Sequence, residues 1–245
     1  DYYATLGYYE NLSIRGVPLD FATSYRLNGL GISGEQNFAF ENKERVEILK
    51  GISAMQAGAS SPGGLLNMVT KRPKEVTSVT LGTGERGTAY AAIDYGTFLN
   101  ESRSLGIRIN AAHEDIRPYV KGAEGKRDFA SFAADAKINR DTLIQFDIEY
   151  QEKKQKSVYG MSLLGNSTIP NVPADIMLNR YDWAKPVTIK SLNSTLKAEH
   201  DLDGHIKAFG GLSYSRLIIN DYSAYPYECA AESSSNFCAG SASSL

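Results

Sequence analysis

Several groupings in this 245-residue sequence have residue types and spacings from which chemistry could be built. Gly82-Thr83-Gly84-Glu85-Arg86-Gly87 fits the spacing of a dinucleotide-binding fingerprint. That chemistry needs a helix immediately afterwards, so that its N-terminus meets the pyrophosphate. Residues 88–98 alternate as a strand instead, which predicts a hairpin. Asp201-Leu202-Asp203-Gly204 has the opening of a calcium loop but lacks the later oxygen ligands and the closing Glu. Asp-Gly between strands predicts a tight turn there. Of the three histidines, His113, His200 and His205, the last two flank that same turn. No cysteine or further ligand converges on them, so solvated positions are expected rather than a metal site. Cys229 and Cys238, with eight residues between them in a Ser/Ala-rich segment, suggest a disulfide formed in an oxidising compartment. On the chain-entropy model such a loop is worth about 2–3 kcal/mol. There is no Ser-x-x-Lys, no nucleophile–base motif and no cluster of catalytic carboxylates. No catalytic residue, resident metal or cofactor is therefore expected, and the chain does not read as an enzyme.

The elements that would position any site fall into two parts. Up to about Pro73 the chain is rich in glycine and short apolar runs, which predicts brief strands and one short helix near residues 52–56, joined by tight turns. Beyond Lys74 the pattern becomes long alternating segments. Ile144, Phe146, Ile148 and Tyr150 fall on one side of a strand, and Gln145, Asp147, Glu149 and Gln151 on the other. Seven antiparallel strands are read this way, at roughly 76–83, 88–98, 103–116, 128–138, 142–154, 189–201 and 205–219. Phe209 breaks the last pattern by falling on the polar side. Connections after the second, fourth and sixth strands are short, and those after the third, fifth and seventh are long. A soluble antiparallel sandwich also alternates. Strands longer than usual and loops sorted by side favour a transmembrane barrel, with periplasmic turns and extracellular loops. Charge is nearly balanced, 26 basic against 28 acidic residues, so no nucleic-acid partner is implied. A mean hydropathy of −0.31 and the lack of any run near 18 apolar residues exclude a helical membrane protein but are blind to barrels. Fifteen tyrosines suit both barrel girdles and ligand-gripping loops.

Four segments carry a family resemblance: Ser13-Ile14-Arg15-Gly16, Tyr25-Arg26-Leu27-Asn28-Gly29-Leu30, residues 44–51 (ERVEILKG) and residues 60–73 (SSPGGLLNMVTKRP). In this order and spacing they resemble the plug of TonB-dependent outer-membrane siderophore receptors, ferric hydroxamate receptors especially. The resemblance implies a mostly β chain: a mixed α+β plug domain at residues 1–75, lacking its earliest strands, then residues 76–245 as the first part of an antiparallel transmembrane barrel of about 22 strands. It also implies a bacterial outer-membrane location and import of a ferric siderophore, with outer-membrane lipid and the energy-transducing protein TonB as partners. The TonB-binding motif is expected to lie before this chain, either because the chain is a portion of a longer one or because the product is truncated. Haem or a cobalamin is the alternative cargo, and a non-transporting barrel fragment the alternative role. Haem receptors usually offer axial histidines, and residues 1–75 contain none.

By the same resemblance, Arg15, Arg45 and Lys50 belong to the basic plug positions that pair with barrel carboxylates. Lys50 stands where some relatives carry Arg, and a point charge lacks the bidentate fork. The orientation the family implies brings two plug segments to the extracellular apex, Leu19-Asp20-Phe21-Ala22-Thr23 and the 33–38 loop with Glu35, Gln36, Asn37 and Phe38. Above them would hang Tyr159, Met161, Tyr181, Trp183, Tyr222, Tyr225 and Tyr227 as ligand-gripping groups. In the plainer alternative Phe21 and Phe38 anchor the plug core and the loop tyrosines are girdle residues. The resemblance also places the Cys229–Cys238 disulfide in an extracellular loop.

Overall fold

The computed structural model describes residues 6–51, 58, 60–158, 171, 173–177 and 185–222. Among these the N-terminal part is built from short strands. β1 (Ser13–Ile14) pairs with β2 (Val17–Pro18). A second, four-stranded sheet contains β3 (Tyr25–Leu27), β4 (Leu30–Gly31), β5 (Lys43–Lys50) and β6 (Gly64–Thr70) in the order β4-β3-β6-β5. Both small hairpins turn on two residues with positive φ: Arg15-Gly16 at 53° and 79°, and Asn28-Gly29 at 54° and 85°. This is the type I′ geometry whose twist matches antiparallel strands. At Gly64 a Cβ would lie 2.0 Å from the Leu49 carbonyl oxygen, so only glycine lets β6 start against β5.

A small apolar core sits on this sheet. Leu19, Tyr25, Leu27, Ile32, Leu66 and Met68 are buried together, with Leu12, Ile14, Phe21 and Phe38 packed around them. Phe21 and Phe38 lie parallel to the buried Tyr25 ring on centroid distances of 6.2 and 5.3 Å. The short helix expected near residues 52–56 lies outside the described residues, as do Cys229 and Cys238.

The remaining strands form one seven-stranded antiparallel sheet in sequential order: β7 (Val76–Thr83), β8 (Ala89–Phe98), β9 (Leu105–Ile116), β10 (Gly125–Lys137), β11 (Thr142–Gln155), β12 (Val187–Asp201) and β13 (Lys207–Asn220). The expected strands are recovered, with β10 starting earlier, at Gly125. The glycine-rich segment is the β7–β8 hairpin, closed by a 3₁₀ turn at Glu85–Gly87 with Arg86 at φ 61°. At the β12–β13 turn the Asp201 carboxylate accepts from the Gly204 amide at 2.6 Å, and Asp203 accepts from the amides of His205 and Ile206 at 3.0 and 2.9 Å. These carboxylates are turn acceptors.

Register fixes two faces. Asp147 stands across from Ala133 and Thr195, and Glu149 across from Ser131 and Asn193. This face turns toward the smaller sheet, and on it Arg108, Asn110, Asp147, Glu149, Gln151, Asn193 and Thr195 are all buried. The opposite face carries Val79, Leu81, Ile93, Tyr95, Leu105, Ile109, Leu196, Leu212 and Tyr214, all exposed. Polar inside and apolar outside is the inverse of a soluble sandwich and suits a wall facing lipid. No described helix is long and apolar enough to cross a membrane, a result that does not bear on strands. Phe146 lies midway along the outward face of β11. In a barrel containing these strands, Phe146→Arg should cost about 2–4 kcal/mol of folding stability in lipid bilayers. Urea titration in vesicles reads this, and an unchanged midpoint would contradict the lipid-facing assignment.

Candidate functional site

Asp147 and Glu149 are two residues apart on one strand, so both carboxylates point inward. The ends of β5 and β6 meet them. Lys43 pairs with Thr70 in register, and the Lys71 amide donates to the Asn42 carbonyl at 2.8 Å. This brings Glu41-Asn42-Lys43 and Thr70-Lys71-Arg72 side by side. The Asp147 carboxylate accepts from Arg72 Nη1 at 2.7 and 2.8 Å, Thr70 Oγ1 at 2.8 Å and Asn28 Nδ2 at 3.1 Å. Arg72 also donates to Asp135. The Glu149 carboxylate forms a close, buried ion pair with Lys43 and accepts from Asn42 Nδ2 at 2.8 Å and Asn193 Nδ2 at 3.1 Å. Lys71 reaches Asp94 at 2.9 Å, and Arg108 grips the same carboxylate with two nitrogens at 2.6 and 2.8 Å.

One pair runs the other way. Glu41 accepts from Arg127 Nη2 at 2.5 Å and from the Tyr90 hydroxyl at 3.1 Å, while Arg127 Nε donates to Glu114 at 2.8 Å. Burial alone would raise the Glu41 pKa. The hydrogen bond and charge of Arg127 outweigh it and hold the carboxyl below its ordinary value. Charge-assisted bonds of this kind are the strong ones, and several sharing partners form a network.

The expected pairing residues lie elsewhere. Arg15 occupies a type I′ turn and is exposed. Arg45 pairs with Glu47 on its own strand at 2.8 Å, and Lys50 is exposed at the end of β5. None of the three meets a carboxylate of the seven-stranded sheet among the described residues. Lys43, Lys71 and Arg72 make those contacts. Lys71 and Arg72 were already visible in the TKRP sequence, in a segment that had to leave one sheet and enter the other.

The expected ligand residues divide. Asp20 is exposed, but one of its oxygens accepts from the Thr23 hydroxyl at 2.7 Å and from the Thr23 and Ala22 amides at 2.8 and 3.1 Å. The Thr23 hydroxyl bond is the main reason its pKa is lowered. Gln36 is buried and exchanges bonds with Asn193, accepting from its Nδ2 at 2.9 Å. Asn37 is buried too, donating to the Tyr8 carbonyl at 3.1 Å and to Glu10 at 3.0 Å. Gln36 and Asn37 therefore anchor the 33–38 loop, and Phe21 and Phe38 join the core stack. Glu35 is half-buried, and the exposed Tyr222 carries Lys185 Nζ 5.2 Å from its ring centroid. Tyr159, Met161, Tyr181, Trp183, Tyr225 and Tyr227 lie outside the described residues.

A cavity of about 660 Å³ opens between this loop and the wall, lined among others by Tyr8, Tyr9, Glu10, Phe38, Tyr119, Arg127 and Lys153. Its size is that of a small-molecule site. The Tyr8-Tyr9 doublet precedes the first motif, and no pattern in the sequence marks it.

Residues 3–65 match the TonB-dependent receptor plug domain. In the structure the described residues of this segment include β1 to β5 and the start of β6, seated on the polar face of barrel-like strands. The chain resembles the TonB-dependent receptors. It is 32% identical over 157 residues to the metal-pseudopaline receptor of Pseudomonas aeruginosa, spanning 63% of this chain and 22% of that protein. It is 29% identical over 159 residues to the ferrichrome outer membrane transporter/phage receptor of Escherichia coli K12, spanning 62% and 21%. Among solved structures it resembles the ferric preacinetobactin receptor of Acinetobacter baumannii, with a TM-score of 0.74 at 24% identity over 89% of this chain and 34% of that one. The ferripyoverdine receptor of Pseudomonas aeruginosa gives 0.71 at 20% identity, over 90% and 32%. The chain thus spans between a fifth and about a third of the relatives it matches. In fold, the seven strands correspond to barrel strands of those structures, and the network above joins them to the plug-like sheet.

The Lys43–Glu149 pair should behave as a coupled unit. Lys43→Met strands a buried carboxylate and should destabilise the seated plug by about 3–5 kcal/mol. Adding Glu149→Leu should return part of that loss, with a coupling of about 1–3 kcal/mol. Hydrogen exchange of the β6 amides in the four proteins of the cycle measures it, and strictly additive effects would refute the coupling.

Proposed function

We propose that the receptor containing this chain binds a ferric siderophore on its extracellular side and imports it into the periplasm, with TonB supplying the energy. The carrying observation is the chemistry of the plug–barrel interface. The plug touches the wall mainly through hydrogen bonds and ion pairs, each of which water can replace, with a small apolar contact of Ala39 on Ala112 and Phe129. A typical hydrogen bond contributes only about 0.5–1.5 kcal/mol net. A plug held this way seals the lumen at rest and can be shifted when force is applied, whereas an apolar seam would resist wetting. A passive pore has no use for such a seal. The chelator supplies the iron's ligands, so the receptor needs none of its own and no catalytic group.

On this reading residues 1–75 are the plug and the barrel begins at residue 76. The ligand rests above the Asp20–Thr23 turn and the 33–38 loop, with Tyr159, Tyr181, Trp183, Tyr222, Tyr225 and Tyr227 reaching it from the loops. Radiolabelled-iron uptake by cells carrying the complete receptor, with and without TonB and across a panel of siderophores, tests the proposal. Uptake of at least one ferric siderophore that disappears without TonB is expected. Tyr225→Ala should weaken binding several-fold, in line with about 0.5–1.5 kcal/mol for a stacked ring, while Ile144→Ala on the lipid face leaves it unchanged. A correctly assembled receptor that takes up none of the panel would overturn this function.

Cys229 and Cys238 are proposed to pin the loop after β13 through a disulfide. Peptide mass analysis of non-reduced protein from outer membranes should show them linked, and two free thiols would refute it.

A further inference from the structure

The turn between β3 and β4 carries a chemically labile pair, Asn28-Gly29, the only Asn-Gly in the sequence. Where glycine follows asparagine, the glycine nitrogen can attack the side-chain carbonyl carbon, because no Cβ obstructs its approach. Here both reacting groups are occupied. The Gly29 N–H, the nucleophile, donates to Asn67 Oδ1 at 2.8 Å. The Asn28 carboxamide, the electrophile, is fastened at both ends. Its Oδ1 accepts from the Thr70 amide at 3.0 Å and the Thr70 hydroxyl at 3.1 Å. Its Nδ2 donates to Asp147 at 3.1 Å and to Thr195 at 3.4 Å, both on the seven-stranded sheet. Thr70 is itself tied to Asp147 at 2.8 Å. Gly29 is exposed, so water reaches the turn. The contacts that seat the plug therefore also hold this side chain away from reaction.

We propose that Asn28 is a modification site guarded by plug seating: it keeps its amide while Asp147 and Thr195 hold it, and deamidates once the plug has left the wall. The Gly29 nitrogen bonds to Asn28 Cγ and gives up its proton, and the side-chain nitrogen leaves as ammonia, which closes a succinimide ring. Water then opens the ring to aspartate or isoaspartate, with no oxidant or reductant involved. Either product opposes re-seating. An aspartate at this position replaces a donor to Asp147 with a carboxylate, so Arg72 would face a third acid beside Asp135 and Asp147. Like charges crowded in a partly buried site disfavour one another. Isoaspartate adds a backbone carbon to the two-residue turn and breaks the Leu27–Leu30 register. The inference needs only a seat that can open, so it goes beyond the transport reading and does not depend on the cargo.

The test is peptide mass analysis of the complete receptor in detergent after prolonged incubation at mildly alkaline pH. Native protein, Asp147→Ala, Arg72→Met and native protein unfolded in guanidinium chloride are compared. Arg72→Met loosens the seat without altering any group that Asn28 touches. The unfolded chain should convert at Asn28, and the folded native receptor at least about tenfold more slowly, as for any site that reacts only from an opened state. Both variants should convert faster than native. Asn28→Asp, made directly, should speed hydrogen exchange of the β6 amides by about tenfold, as expected for losing a hydrogen bond to a charged group. If one variant fails to assemble, the other decides. A native receptor that converts as fast as the unfolded chain, or a loosened receptor that converts no faster than native, overturns the proposal. Unchanged β6 exchange in Asn28→Asp overturns the claim that the product resists re-seating. Each of these failures leaves the transport reading standing, since that reading is decided by uptake.

Discussion

Two carboxylates on one strand tie the barrel register to the seating of the plug. Asp147 and Glu149 can receive Arg72 and Lys43 only while odd-numbered residues of β11 face inward, and that parity is inherited strand by strand through the register of the seven-stranded sheet. A slip of one residue would turn every side chain to the other face. It would carry both carboxylates toward lipid and Ile144, Phe146 and Ile148 into a polar lumen. Charged side chains facing the bilayer interior cost several kcal/mol each. The outer solvent therefore enforces the inner chemistry, and the wall needs no apolar interior to fold correctly.

Cohesion in this molecule is of two kinds, separated in space. Within the plug it is apolar and aromatic, centred on Tyr25 between Phe21 and Phe38 with Leu27, Leu66 and Met68 close by. Such a small core gives limited independent stability. Between plug and wall cohesion is polar, concentrated at the two adjacent segments 41–43 and 70–72. The apolar part holds the plug's shape, and the polar part holds its position. A force that breaks the second set leaves the first intact, because the hydrophobic surface shared by both parts is small, Ala39 against Ala112 and Phe129 with Tyr90 and Ala92 beside them.

Much of this was legible in the sequence because the physics is local. Period-two alternation in residues 143–151 gave the strand, its two faces and the inward direction of Asp147 and Glu149, and the Asp-Gly at 203–204 marked a turn. The partners of those carboxylates were not legible by the same route. Arg15 and Arg45 looked suitable by type and motif, but the backbone uses Arg15 at a left-handed turn position, and Arg45 is satisfied two residues away by Glu47. Which cation meets which carboxylate depends on the pairing of β5 with β6, a contact between distant residues that periodicity does not encode. Gln36 and Asn37 illustrate a related point. Polar residues in an apical loop read as ligand groups, yet in a polar lumen they are what an anchor must be made of. In an interior of this kind a buried amide carries no functional signal unless it lacks a partner.

Charge along the wall follows the same rule. Descending from the mouth, each inward charged row is matched: Arg127 with Glu41 and Glu114, Glu149 with Lys43, Asp147 and Asp135 with Arg72, Asp94 with Lys71 and Arg108. Matching is what a seal requires, since any unpaired charge against the plug would carry a desolvation cost with no return. Nearer the end of β11, Lys153 donates to the Tyr8 carbonyl oxygen at 3.4 Å, which extends the polar seam to the first described residues.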